Sequence, residues 1–341
     1  MPSGSRATLV RMAVLALLWG SGFLWIKLAL SGGIAPLHLT IVRCALGSAV
    51  LLVLARSAGH RIPRDRRTWG HLVVAAFFCN ALPFFLFGLG QQTVDSGVAG
   101  VLNATTPLWS VAIGLLLRTE RRLGPLRLTG LALGFAGTLL IFAPWQQSGL
   151  ASWGTLALLA AAVSYAVAFA YMARNLIGRE TAPLALSAAQ LLTATGLTTL
   201  ALPAAPTGTS SPTLTGILAL VVLGTLGTGI TFHLNSRLIA DEGPTAAATV
   251  GYLLPVVSIV LGAVVLGEDV GVRVVAGMVV VLAGVGLTRA GAGTGTGMRT
   301  APGGSQPSSE RTAARSTPVR ARISFGVRKT STAPTRPTAR T

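Results

Sequence analysis

Two stretches of this chain carry the same markers in the same order. Pro107 is followed thirteen residues later by Glu120, and Pro255 is followed thirteen residues later by Glu268. After each Glu comes an apolar segment marked by glycines. A duplication of apolar segments on this scale is typical of secondary transporters, whose two halves are related by a pseudo-two-fold axis. If each copy crosses the bilayer five times, the second copy must enter it upside down.

The composition requires a membrane environment. Hydrophobic residues make up 51% of the 341 residues and charged residues only 11%, too few to cover the surface of a water-soluble protein of this size. Residues 128–173, 181–236 and 243–267 contain no Asp, Glu, Lys or Arg. Because about 20 apolar residues cross a bilayer, each of the first two runs predicts a helical hairpin.

The pattern predicts an all-α integral membrane protein with ten transmembrane helices, arranged as two inverted five-helix repeats. The predicted spans are 9–29, 35–55, 70–90, 96–117, 124–142, 153–172, 182–202, 213–234, 244–266 and 272–289. The chain then divides into an N-terminus (1–8), a first repeat (9–142), a second, inverted repeat (153–289) and a basic tail (290–341) that we expect to be disordered.

The distribution of arginines predicts the orientation. With the N-terminus inside, nearly all loop arginines and the whole tail fall on the cytoplasmic side, and only Arg273 falls on the other. We therefore expect a multi-pass protein of the plasma or inner membrane with both termini in the cytoplasm.

The formal net charge of +18 does not indicate a nucleic-acid partner. Much of it lies in the tail, and no folded basic module accompanies that tail. Contact of the tail with anionic lipid headgroups is the simpler expectation. The two cysteines, Cys44 and Cys79, fall inside predicted spans and lack the spacing of a metal site, so no metal or other cofactor is expected.

A set of short motifs resembles the ten-span EamA transporters of the drug/metabolite transporter superfamily. The motifs are the segment 19–27 (WGSGFLWIK), Pro36 followed by Arg43, Pro107 with Glu120, the glycines 130, 134 and 137, and the matching Pro255, Glu268 and Gly277. The resemblance covers about residues 9–289. It implies alternating access between two inverted halves around a central cavity, and export or import of small metabolites such as amino acids. It does not fix the substrate.

Lys27 and Arg43 are the charged side chains placed well inside predicted spans, where a charge costs about 2.5–3.5 kcal/mol. Lys27 lies near a helix end and could instead extend to the headgroups. The acidic residues map to loops or helix ends, so neither cation has an acidic partner at membrane depth. An unpaired positive site favours a carboxylate on the substrate. We expect an amino acid or related compound to bind at Lys27 and Arg43, and we expect lipophilic cations, the alternative cargo, to be disfavoured.

Prolines inside spans predict bends that expose backbone carbonyls. Pro107 and Pro255 occupy equivalent places in the two repeats and are the predicted hinges. Polar and aromatic side chains near the bends and in the first span complete the predicted substrate contacts, which are Trp19, Lys27, Arg43, Asn103, Thr106 and Tyr252.

Several alternatives remain open from the sequence. His38, His71 and His233 could carry a coupling proton, although each is also explained by packing. The glycine faces could pack within one chain or across a homodimer. An intramembrane enzyme would need a nucleophile with its base or a metal cluster, and neither pattern is found. A passive channel or a sensor is a further alternative.

Overall fold

The computed structural model describes residues 3–116, 124–142, 152–176, 181–204, 211–242, 250–251 and 253–296. Within these residues the regular elements are helices. They are α1 (Ser3–Gly20), α2 (Gly22–Ser31), α3 (Pro36–Ser57), α4 (Arg66–Ala76), α5 (Leu82–Gly90), α6 (Ser96–Asn103), α7 (Thr106–Leu116), α8 (Pro125–Phe142), α9 (Trp153–Asn175), α10 (Pro183–Leu200), α11 (Leu214–Gly224), α12 (Thr231–Glu242), α13 (Leu254–Leu266) and α14 (Val272–Thr296).

These helices form the ten predicted spans, and the prediction of an all-α membrane protein is confirmed. Four spans consist of two helices in sequence: α1 with α2, α4 with α5, α6 with α7, and α11 with α12. Six spans are long and apolar enough to cross a membrane on their own, and shorter apolar helices occupy 128–137, 254–266 and 272–287. The tenth span is longer than predicted, because α14 continues to Thr296. Residues 290–296 are therefore helical where the sequence suggested a disordered tail, and 297–341 lie outside the described residues.

The two repeats interlock around a pseudo-two-fold axis. Helices with the same position in each repeat pack on one another: α3 on α10, α6 on α13, and α8 on α14. Contacts between different positions also follow the symmetry. The third span of each repeat packs on the first span of the other, α5 on α9 and α11 on α2. Each repeat therefore contributes to every part of the interior, and a binding site at the centre must be built from both.

Glycines allow the fifth and tenth spans to approach closely. A Cβ on Gly284 of α14 would lie 2.6 Å from the carbonyl oxygen of Gly130 and 2.7 Å from the Cα of Gly134, both in α8. A Cβ on Gly137 would lie 2.8 Å from the backbone nitrogen of Val281. The glycine faces of the two repeats thus pack against each other within one chain.

The third and eighth spans each contain one π-helical turn, at Phe77–Ala81 and Thr225–Ile230. In the third span the turn precedes Pro83, which has no N–H to donate to the carbonyl oxygen of Phe78. Ser164 of α9 donates a hydrogen bond to that oxygen instead, at 2.7 Å. Turns of this kind are frequent at functional sites because they displace side chains from the regular helical face.

Candidate functional site

Arg43 of α3 is a buried cation between the two repeats. Its side chain is only 6% exposed. Its Nε donates a hydrogen bond to Oγ1 of Thr228 at 2.9 Å, and its guanidinium lies 3.7 Å above the ring of Phe84. Within the part of the chain that the structure describes, no carboxylate lies within salt-bridge distance of it. The charge is therefore stabilised by one hydroxyl and one aromatic ring.

Thr228 is oriented by the π-turn of the eighth span. Its hydroxyl donates to the carbonyl oxygen of Leu223 at 2.9 Å, a contact five residues back along the helix. Because the hydroxyl proton is used there, a lone pair of the oxygen accepts from Arg43. The guanidinium has five N–H donors, so most of its hydrogen-bonding capacity is left for a ligand.

A second buried polar pair joins the seventh and third spans. Nε2 of Gln190 donates to Oδ1 of Asn80 at 2.6 Å. Asn80 has no exposed surface, and its Nδ2 has no hydrogen-bond partner among the described residues. An unsatisfied buried donor costs about 1–3 kcal/mol, so a ligand oxygen that accepted from this Nδ2 would remove that cost.

The two polar pairs are equivalent under the repeat. Arg43 stands seven residues after Pro36, the proline that begins α3, and Gln190 stands seven residues after Pro183, which begins α10. Their acceptors also correspond, because Asn80 and Thr228 lie 148 residues apart, the separation of Pro107 and Pro255. Each acceptor occupies the π-turn of its span. The same hydrogen bond between the repeats is therefore made twice, once with a charged donor and once with a neutral one.

Tyr165 of α9 lies beside both polar pairs. Its side chain packs against the buried cluster that contains Phe84, the ring beneath Arg43, and Ala81, the residue next to Asn80. Its ring stacks on Phe169 at 5.9 Å and packs near Phe87 at 6.1 Å. The site therefore has an aromatic wall that lies against residues next to both polar pairs.

Lys27 has a different set of partners from Arg43. Its Nζ donates to the carbonyl oxygens of Gln91 and Val94, both at 3.0 Å, in the connection between α5 and α6. It supplies hydrogen bonds to two backbone carbonyls of this connection, one of them directly after the C-terminus of α5. The structure thus gives Lys27 a backbone-binding position and does not bring it to the contacts made by Arg43.

Replacing Lys27 by Met should lower the stability of the protein while preserving the length of the side chain. Each hydrogen bond to a charged donor contributes about 1.5–3 kcal/mol, and two are lost. Thermal unfolding of the detergent-solubilised protein measures the effect. Ser31→Ala, an exposed change in the same helix, is the matched control. A melting temperature equal to that of the control would contradict this role for Lys27.

Glu268 crosses from the second repeat to the first and caps α6. Its carboxylate accepts hydrogen bonds from the backbone N–H groups of Ser96 (2.7 Å) and Gly97 (3.1 Å) and from the Ser96 hydroxyl (2.8 Å). A carboxylate at a helix N-terminus also interacts favourably with the helix dipole. Burial raises the pKa of the neighbouring Asp95 carboxyl, and Glu268 adds to that effect while Lys27 opposes it.

The remaining predicted residues are distributed along the spans. Trp19 lies near the end of α1, half-buried, with its ring 6.5 Å from that of Phe232. The hydroxyl of Thr106 donates to the carbonyl oxygen of Asn103 at 2.7 Å, a contact within their own span. Tyr252 lies outside the described residues.

Both predicted hinge prolines stand where helices begin. Pro107 is the second residue of α7, after the break that ends α6, and Pro255 is the second residue of α13. Of the histidines, His71 pairs its Nδ1 with the hydroxyl of Tyr171 at 2.8 Å, whereas His38 is exposed.

The pairing of Gln190 with Asn80 and that of Arg43 with Thr228 were not among the contacts predicted from the sequence. The sequence does contain one indication that Arg43 and Gln190 are equivalent, because each stands seven residues after the proline that begins its helix. Their partners could not be found in this way, because the contacts cross 185 and 110 residues between repeats.

Comparison with known proteins decides the family. The sequence profile of the EamA-like transporter family matches residues 7–143 and again 152–290. The chain belongs to that family. It is 27% identical over 257 residues to the uncharacterized inner membrane transporter YedA of Escherichia coli, covering 74% of this chain and 81% of YedA. It is also 27% identical to the uncharacterized transporter YdfC of Bacillus subtilis, covering 80% of this chain and 87% of YdfC.

The fold is also found in solved structures. One crystal structure matches 83% of this chain and 98% of its own length, with a TM-score of 0.60 and 22% sequence identity. The family match, repeated over both halves of the chain, makes this EamA-like protein a membrane transporter with two inverted five-helix repeats.

Proposed function

We propose that this EamA-like protein is a secondary active transporter of small metabolites that carry a carboxylate, such as amino acids, and that Arg43 binds the carboxylate. The supporting observation is the environment of Arg43. A buried guanidinium with one hydroxyl partner and one aromatic partner has donors to spare and no neutralising carboxylate among the described residues. A carboxylate forms two parallel hydrogen bonds with such a group.

The same observation disfavours lipophilic cations, the alternative cargo. A cation that lacks a carboxylate of its own would meet the like charge of Arg43 at low dielectric, where the repulsion is strong. A cation carrier also needs a buried anion, and the acidic residues that the structure describes stand at helix ends or in connections, as Asp65, Asp95 and Glu268 do.

Transport would proceed by alternating access. The inverted repeats would provide two equivalent gates, and the packing of α6 on α13 would close one of them. With both termini in the cytoplasm, as the arginine distribution predicts, this gate faces outward, and a substrate that loads from the cytoplasm is exported. An ion gradient would drive the protein to open one gate and close the other in turn, with Arg43 between them. A proton is the coupling ion we would test first.

The test is flux in vesicles that contain the purified protein, with and without a proton gradient. Labelled amino acids should be transported, and Arg43→Ala should reduce that flux by about thirtyfold or more, because removing one partner of a buried charged contact costs about 2–5 kcal/mol. Arg56→Ala, an exposed change in the same helix, should leave the flux unchanged.

Arg43→Lys separates a structural effect from a binding effect. It keeps the charge but loses the planar fork, so we expect folded protein with weakened amino-acid flux. Transport of cationic dyes that survives Arg43→Ala, with no amino-acid flux in the parent protein, would overturn the assignment. Flux without saturation or counterflow would indicate a channel.

A further inference from the structure

We infer that the Gln190–Asn80 pair is the second half of the substrate site, and that it selects substrates carrying a neutral hydrogen-bonding group some distance from the carboxylate. This inference rests on the proposed function, since it requires that Arg43 binds the carboxylate. It assigns the charged and the neutral pair to opposite ends of one substrate.

The first argument is the equivalence of the two pairs. Arg43 and Gln190 occupy the same place in their repeats, and each donates to a residue in the π-turn of the opposite repeat. Two-fold symmetry gives both pairs an equivalent position relative to the central axis. A pair that shares this position with the Arg43 contact is placed to take part in the same site.

The second argument is the unsatisfied amide of Asn80. Its Nδ2 is fully buried and has no partner among the described residues. A pair that served only to join two spans would not require a spare donor, because Oδ1 already makes that contact. The spare donor is explained if a substrate oxygen accepts from it.

The distance between the pairs suits the two ends of a small molecule. Because the repeats are inverted, α3 and α10 begin at opposite membrane surfaces. Seven residues at about 1.5 Å each from both ends of a bilayer of about 30 Å place the pairs roughly 10 Å apart along the membrane normal. The side chains shorten this gap, and Tyr165 packs against the buried cluster that contains Phe84, next to Arg43, and Ala81, next to Asn80.

The asymmetry of the pairs specifies the chemical class. One end presents a permanent cation and the other a neutral amide with a donor. A dicarboxylate would leave its second charge against a neutral pair, and an apolar chain would leave Asn80 unsatisfied. A site built to hydrogen-bond a substrate group discriminates strongly against analogues that lack it.

Three amino acids of nearly equal size test this selectivity. Glutamine carries a neutral amide, methionine an apolar side chain and glutamate a second carboxylate. Their ammonium and first carboxylate groups are identical and cancel in the comparison. In competition for flux, the parent protein should prefer glutamine to both others by about tenfold or more.

Gln190→Arg makes the two halves of the site alike. It should reverse the preference, so that glutamate becomes the better substrate by about tenfold, because a second guanidinium can bind the second carboxylate. This variant introduces a charge at a buried position and can therefore fail to fold, so a second variant is needed. The double variant Asn80→Leu with Gln190→Met removes both polar partners, which costs little stability. It should abolish the preference for glutamine over methionine.

Thr193→Val is the matched control, because the Thr193 hydroxyl donates to the carbonyl oxygen of Ala189 in its own helix, α10. It should keep the parent selectivity. If flux depends on Arg43 but the double variant keeps its preference for glutamine, the inference is wrong and the proposed function stands. If no amino-acid flux depends on Arg43, the proposed function itself fails.

Discussion

Gly284→Val should prevent the fifth and tenth spans from packing and should abolish the recovery of folded protein. Even a Cβ on Gly284 would lie 2.6 Å from the carbonyl oxygen of Gly130 and 2.7 Å from the Cα of Gly134. Both are backbone atoms, which cannot rotate away as a side chain can, so the helices must separate. Overpacking typically costs about 1–3 kcal/mol and more when backbone must shift. Size-exclusion chromatography and thermal unfolding measure the result.

The same helix provides the control for this prediction. Gly286 lies two residues further along α14 and is exposed, and a Cβ added there would have no neighbouring atom within 4 Å. Gly286→Val should therefore yield normal amounts of folded protein. Equal recovery of the two variants would show that the close approach of α8 and α14 is not required for folding.

Glu268→Ala should open the contact between the fourth and ninth spans. The change removes three hydrogen bonds at 2.7–3.1 Å and leaves the N–H groups of Ser96 and Gly97 without their partner. Hydrogen bonds to a charged group contribute about 1.5–3 kcal/mol each, so the loss of three should shift the equilibrium towards the open form by at least about a hundredfold.

Cysteine labelling measures this opening. Ser258 is fully buried where α13 meets Gly100 of α6, so a maleimide reacts with Ser258→Cys only when the two helices separate. The labelling rate should rise by at least about a hundredfold in the Glu268→Ala background. The same labelling of protein that lacks Ser258→Cys gives the background rate of the buried Cys44 and Cys79.

Asp269→Ala is the control for the loss of a carboxylate. Asp269 is exposed and adjacent in sequence, and its removal should leave the labelling rate of Ser258→Cys unchanged. A Glu268→Ala protein that labels no faster than this control would show that the cap does not hold the fourth and ninth spans together.

The fold was predictable because membrane insertion leaves few alternatives. A backbone in hydrocarbon must satisfy its own hydrogen bonds, so a chain with 51% hydrophobic residues and long charge-free runs must form helices across the bilayer. The recurrence of Pro107 and Glu120 as Pro255 and Glu268 indicated the repeat, and an odd number of spans made it inverted. These features are local and can be read along the chain.

The roles of individual polar residues were harder to predict. Arg43 was predicted to bind the substrate because charges inside membrane spans are costly and usually functional. Lys27 was identified on the same ground, yet its partners are carbonyls at a helix end. In the sequence both are simply cations within apolar segments. Only the folded structure shows that Arg43 keeps N–H donors for a ligand, whereas Lys27 donates to backbone carbonyls.

The sequence by itself determined the membrane environment, the number of spans and the two-fold repeat, because hydrophobicity and helix length act on each segment separately. The tertiary structure decided which side chains meet. Thr228 reaches Arg43 and Asn80 reaches Gln190 only through π-turns and through packing between inverted repeats. Contacts over such separations depend on the packing of every intervening helix, and no local pattern along the chain records them.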